Sequence, residues 1–264
     1  MANEVRTLVL RAAGSNCDEE TAFAFQAVGA QADLVHINRL VEGEVHLEDY
    51  HILAIPGGFT YGDDVSAGKI LANELKYKLG DQVEQFHRDG KLILGICNGF
   101  QVLVKSGLLP FGDIRNGKQL VTLTFNDSGK FEDRWVYLEP NPDSPCIFTR
   151  GIREPITLPV AHAEGKFVPA SPELLQTIEA QGQVVLRYRH PKGESCEYPW
   201  NPNGSVAHVA GICDPSGRIF GLMPHPERHF HPTHHPRWTR EGLRDEGDGV
   251  AIFRNAVDYA RRNL

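Results

Sequence analysis

The chain has 264 residues, 41% hydrophobic and 23% charged, with a formal net charge of −7, which gives room for one large α/β domain spanning residues 1–264. The acidic balance argues against general nucleic-acid binding, which needs a basic face, and no apolar run reaches membrane-spanning length. Residues 1–10, MANEVRTLVL, lack the apolar stretch and small-residue cleavage site of a secretion signal, so a cytoplasmic location is expected.

Residues 6–10 read as a buried first strand. Asn16, with Glu19 three positions on, predicts a capping box for a helix running through Phe23 and Phe25 to Gly29. Residues 33–37 and 51–55 read as strands, and the β-α-β spacing predicts a right-handed crossover and a parallel sheet. The third strand stops at Pro56-Gly57-Gly58. By itself this is a turn; at the carboxyl end of a parallel strand its free NH groups face the edge where open α/β sheets place ligands. Residues 62–69 superficially resemble a phosphate loop, but Asp63 stands where the first glycine belongs and Ile70 replaces the magnesium-binding Ser or Thr. No nucleotide cradle is expected there.

Helices are expected over 68–79 and 82–88, then an apolar strand over 92–96 that runs into Cys97 and a helix carrying Phe100, Val102, Leu103 and Val104. A buried cysteine is usually an inert small hydrophobe. Gly95 and Gly99, two residues either side of Cys97, shift that reading toward a nucleophile elbow, where a Cβ would collide with the backbone of a sharp strand-to-helix turn. The helix's unpaired first NH groups and its dipole would stabilise a thiolate. That helix should stop near Gly107.

Beyond Pro110 the pattern changes to strands over 120–126, 134–139, 156–162, 183–188, 205–214 and 218–223, with a short helix over 172–180. A mixed or antiparallel half grafted onto the parallel one is expected, closed by a helix over 249–262. The strand over 218–223 delivers Pro224-His225-Pro226-Glu227. Prolines on both sides hold His225 extended, and Glu227 can fix its tautomer, which makes Cys97, His225 and Glu227 a candidate triad. Of the five histidines in 225–235, His229, His231, His234 and His235 read as a proline-stiffened surface loop. Prolines prevent helical metal-ligand spacing there. The five cysteines, Cys17, Cys97, Cys146, Cys196 and Cys213, contain no C-x-x-C pair, which fits a reducing compartment and neither a disulfide scaffold nor a zinc knuckle.

Pro56-Gly57-Gly58, the run Gly95-Ile96-Cys97-Asn98-Gly99-Phe100-Gln101 and Met223-Pro224-His225-Pro226-Glu227-Arg228 resemble the class I, or triad, glutamine amidotransferases. GGFTYGDD, the Asn126-x-Ser128-x-x-Phe131-Glu132 pattern and Ala161-His162-Ala163-Glu164-Gly165 extend the resemblance, over nearly the whole chain, to the glutaminase subunits of phosphoribosylformylglycinamidine synthase in purine biosynthesis. Ala163, where that family commonly has Gly, and the longer histidine-rich segment depart from the pattern. The resemblance implies that Cys97 is the nucleophile, His225 the acid/base and Glu227 its orienting partner. Gly58 and Asn98 would supply oxyanion-hole NH groups, while Gly57, Gln101, His162 and Glu164 would contribute to the glutamine pocket. It further implies L-glutamine as substrate, a synthetase partner carrying ATP and magnesium, and a small third subunit, with no cofactor on this chain. A stand-alone cysteine hydrolase and a non-catalytic module of the same fold are the rival readings; the intact trio speaks against the second.

Overall fold

The computed structural model describes residues 4–264, so the first three residues of the single domain read from the sequence lie outside the described residues. Eleven strands follow in chain order: β1 (Arg6–Arg11), β2 (Gln31–His36), β3 (Ile52–Ile55), β4 (Leu92–Ile96), β5 (Val121–Thr124), β6 (Glu132–Pro140), β7 (Ile156–His162), β8 (Lys166–Pro169), β9 (Val184–Arg189), β10 (Val209–Cys213) and β11 (Ile219–Leu222). The helices are α1 (Asp18–Ala27), α2 (Ile37–Val41), α3 (Lys69–Lys78), α4 (Gly80–Arg88), α5 (Asn98–Ser106), α6 (Pro172–Ala180), α7 (Trp238–Glu241) and α8 (Val250–Asn263).

Nine strands form one sheet in the order β2-β1-β3-β4-β11-β10-β9-β6-β7. The members from β2 to β11 are parallel, and every pairing from β11 to β7 is antiparallel. The two halves are thus continuous through hydrogen bonds, as the change of pattern after Pro110 predicted. β3, β4 and β11 are wholly buried, which is why each reads as a short apolar run without alternation. The helices α1 and α8 meet through an edge-to-face contact of Phe25 and Phe253, ring centroids 5.0 Å apart. The helix α5 ends on Gly107, whose φ of 87° an L side chain rarely adopts.

Three local expectations are corrected. The N-cap of α1 is Cys17, with no side-chain cap bond, because the Asn16 side chain instead accepts from Cys17 Sγ at 3.1 Å. The segment over 120–126 pairs outside the main sheet, as β5 with an unexpected β8. His229 and His235 are buried rather than on a surface loop. They stack edge-on against Trp135, at 5.0 and 5.1 Å between centroids, and the His229 ring donates to Thr157 O. His231 and His234 do remain exposed. Among the described residues no helix is long and apolar enough to cross a membrane.

Candidate active site

Three neighbouring parallel strands end side by side. Ile55 of β3 is in register with Gly95 of β4, and Leu222 of β11 with Ile96. The residues that follow each strand, Gly57-Gly58, Cys97 and His225, therefore emerge at one edge, the carboxyl edge where such sheets bind ligands.

Cys97 occupies the corner between β4 and α5 at φ 51° and ψ −104°. This region is strained for any side chain, at about 1–3 kcal/mol. The surroundings hold it there: Cys97 N donates to Leu222 O at 2.8 Å and Cys97 O accepts from Gln101 N at 3.1 Å. The flanking glycines are sterically required. A Cβ on Gly99 would lie 1.9 Å from Ile55 O, and one on Gly95 would lie 2.6 Å from Gly99 O.

The buried imidazole of His225 is anchored by its backbone N donating to Pro159 O at 2.8 Å. Nδ1 lies 2.6 Å from Glu227 Oε1, and the side chains are 2% and 0% exposed. That spacing is a hydrogen bond, tighter than the roughly 3.3 Å between two ligands of one zinc ion in a tetrahedral site. Nε2 is buried without a hydrogen-bond partner among the described residues, leaving it for a reacting group. Burial alone would lower the His225 pKa; Glu227 and Cys97 outweigh it and raise it well above the ordinary value. Cys97 Sγ lies 3.7 Å from Ala161 O. Cys97, His225 and Gly58 all line a cleft of about 220 Å³. A thiol, an oriented base and unengaged backbone NH groups around such a cleft are the parts that acyl transfer through a thioester requires.

The profile of the CobB/CobQ-like glutamine amidotransferase domain matches residues 4–260. The chain belongs to this family. Among the curated relatives of this amidotransferase, phosphoribosylformylglycinamidine synthase subunit PurQ of Dehalococcoides mccartyi is 51% identical over 261 residues, covering 98% of this chain and 99% of that protein. The PurQ subunit of Archaeoglobus fulgidus is 42% identical, covering 98% of each. Among solved structures, a chain in the structure of PurLQS from Thermotoga maritima aligns with a TM-score of 0.72 at 31% identity, covering 97% of this chain and 99% of that one.

The other sequence-predicted site residues of the amidotransferase divide in two. Neither the Gly58 nor the Asn98 NH donates to any described residue: Ser15 and Gly58 face each other in an isolated antiparallel bridge whose bonds are made by their neighbours, and Asn98 is the first residue of α5, where NH groups have no partner within the helix. Gly57 packs against the His225 ring, and its carbonyl accepts from Asn16 N and Cys17 N at 3.4 and 3.2 Å. Gln101, His162 and Glu164 do not line the cleft. The Gln101 amide bridges Asn98 Nδ2 and Glu164 O at 2.9 and 2.7 Å. Asn126 and His162 Nδ1 lie 3.1 Å apart, and burial, then His225, push the His162 pKa down to about 3. Glu164 pairs with buried Lys105 at 3.7 Å and accepts from Ala67 N. These side chains scaffold the loops behind the site.

Sequence reasoning gave no site role to Cys17, Asp133 or Arg228, which do line the cleft. Cys17 Sγ lies 3.1 Å from Arg228 Nη2, and one donor atom each of Cys17, His225 and Glu227 lie within 4.8 Å of one another. Burial pushes the Cys17 thiol up despite the lowering influence of His225. The available signal was Arg228's place directly after Glu227 in the MPHPER motif; Cys17 carried none.

Proposed function

We propose that this chain is the glutaminase subunit of a phosphoribosylformylglycinamidine synthase. It releases ammonia from L-glutamine for a synthetase partner that converts formylglycinamide ribonucleotide to its amidine. The observation that carries this reading is the convergence of Gly58, Cys97 and His225 on one cleft in a chain 51% identical to a PurQ subunit. Cys97 thiolate attacks the side-chain carboxamide, and the Gly58 and Asn98 NH groups receive the developing oxyanion. The His225 imidazolium protonates the amide nitrogen of the tetrahedral intermediate as the C–N bond breaks, so that it leaves as neutral ammonia. The neutral ring then takes a proton from water, which hydrolyses the γ-glutamyl thioester to glutamate. Glu227 keeps Nδ1 protonated, so Nε2 does the proton transfer. Ammonia released into bulk water would be protonated and lose its nucleophilic lone pair, which favours direct delivery to a docked partner. ATP and magnesium act on that synthetase, with a small third subunit completing the complex in the cytoplasm.

The test is mass spectrometry after treatment with a glutamine-like electrophile, together with glutaminase assays with and without the synthetase. Modification of Cys97 ahead of the other four cysteines, and a rate that rises on adding the synthetase, are expected. Labelling elsewhere removes the thioester, and a rate indifferent to the partner favours a stand-alone hydrolase. The buried Glu227 carboxylate raises the His225 pKa, so Glu227→Gln removes a raising influence and the imidazolium is lost at lower pH. The alkaline limb of kcat/KM should move to lower pH with a fall of about 10²-fold. An unmoved limb sinks the assigned role of Glu227.

A further inference from the structure

The two NH groups assigned to the oxyanion come from different segments: Gly58 follows β3, and Asn98 opens α5 after β4. Register between β3 and β4 ends at Ile55 and Gly95, so beyond that point the spacing of the two NH groups depends on other contacts. Phe59 N donates to Gly14 O at 2.9 Å and Tyr61 N to Ala13 O at 2.7 Å, which ties the first segment to the loop after β1 and not to the elbow. Tyr61 and Asp63 each sit at φ 55°, a region that strains an L residue, so outside contacts must hold the segment in shape. Among the described residues, the hydrogen bonds that join 57–64 to 97–101 all end on the Asn98 side chain. Thr60 Oγ1 donates to Asn98 Oδ1 at 2.6 Å and Thr60 N to the same oxygen at 3.4 Å. Asn98 Nδ2 donates to Asp63 Oδ1 at 3.1 Å and to Gln101 Oε1 at 2.9 Å. Turning the carboxamide over would set its NH2 against the Thr60 N–H and its oxygen against the Asp63 carboxylate, so one orientation is held. Thr60 and Asn98 are both buried, and water does not compete for the bond between them.

We propose that Thr60 is a positioning residue for the reaction: its hydroxyl, acting through the Asn98 side chain, fixes the spacing of the Gly58 and Asn98 NH groups. This rests on the glutaminase reading, in which those groups receive the oxyanion. Thr60 does not line the cleft, so its influence on the chemistry passes through Asn98. A hole set slightly wrong still admits the neutral carboxamide oxygen of the ground state, but it loses the closer bonds to the charged tetrahedral intermediate. The loss therefore falls on kcat and spares KM.

The test uses the complex with its synthetase and two readouts: glutamine hydrolysis, and the rate at which iodoacetamide alkylates Cys97, a displacement at carbon that forms no oxyanion. Thr60→Val keeps the side-chain shape and the Thr60 N–H bond to Asn98, so it should fold. Its kcat should fall by about 10²-fold, the scale of one misplaced oxyanion donor. KM and the alkylation rate should stay within about twofold of wild type. Thr60→Ser restores the hydroxyl and should recover most of kcat. Asn98→Ala keeps its own main-chain NH and breaks the link from the other end. It should lose at least as much as Thr60→Val, and the double variant should be no slower than Asn98→Ala alone, because both changes break one link. Full kcat in Thr60→Val overturns the proposal. So does alkylation that slows in step with kcat, which marks a general disturbance of the elbow, or a Thr60→Ser variant as slow as Thr60→Val. A wild-type complex that does not hydrolyse glutamine instead overturns the glutaminase reading on which the proposal rests.

Discussion

Cys97→Ala is expected to remove glutamine hydrolysis, by about 10⁴-fold or more, while leaving the fold and synthetase binding intact. The thiol is the only group at the elbow able to carry the acyl intermediate, and no other cysteine occupies a strand-to-helix corner. Alanine keeps the same Cβ and therefore the same backbone strain at φ 51° and ψ −104°. Cys97→Gly should be equally inactive and more stable than Cys97→Ala, because glycine adopts that conformation without strain. Relief of about 1–3 kcal/mol against an added glycine entropy cost of about 0.5–1 kcal/mol leaves a gain of about 1 kcal/mol. For a domain of this size that is a rise of about 2–4 °C in Tm. Scanning calorimetry of the two variants decides the point: a Gly variant no more stable than the Ala variant removes the stored strain. Residual hydrolysis near wild type in either removes the thioester.

The elbow was legible because its demands are local. Close packing needs Gly95 and Gly99, and both glycines can be read within five residues of sequence. The apolar runs of β3, β4 and β11 were legible for the same reason, as was α6, matched from end to end. What failed depended on partners distant in sequence. His229 looked like part of a polar loop, yet its ring donates to Thr157 O and packs on Trp135, and nothing near position 229 announces either. Asn16 had the right neighbours for a cap, but its side chain accepts from the Cys17 thiol. β8 is only four residues long and ends on Pro169, too short for alternation to register. Gln101, His162 and Glu164 belong to quoted motifs, but motif membership does not say which way a side chain turns. They turn into a polar scaffold with Asn98, Asn126 and Lys105.

Gly57→Ala should cost about 10²-fold in kcat, the scale of a misplacement near 1 Å at a reacting group, although residue 57 performs no chemistry. An added Cβ would lie 2.8 Å from His225 Cε1 and 3.0 Å from Cys17 Sγ. The backbone at 57 does not have a positive φ, so alanine suits the chain itself and the conflict is purely with those two side chains. The imidazole cannot swing away freely, because Glu227 holds Nδ1 at 2.6 Å and the residue's own N is bonded to Pro159 O. The crowding should also destabilise the fold by about 1–3 kcal/mol, leaving it assembled at room temperature. Cys17→Ala removes one of the two colliding atoms and keeps Cys97, His225 and Glu227 themselves. The pair Gly57→Ala with Cys17→Ala should therefore recover part of the lost rate, a coupling that independent sites do not show. If Gly57→Ala stays within twofold of wild type, the imidazole is not confined between Gly57 and Glu227, and the rigid delivery of His225 from β11 is not what sets the proton-transfer geometry.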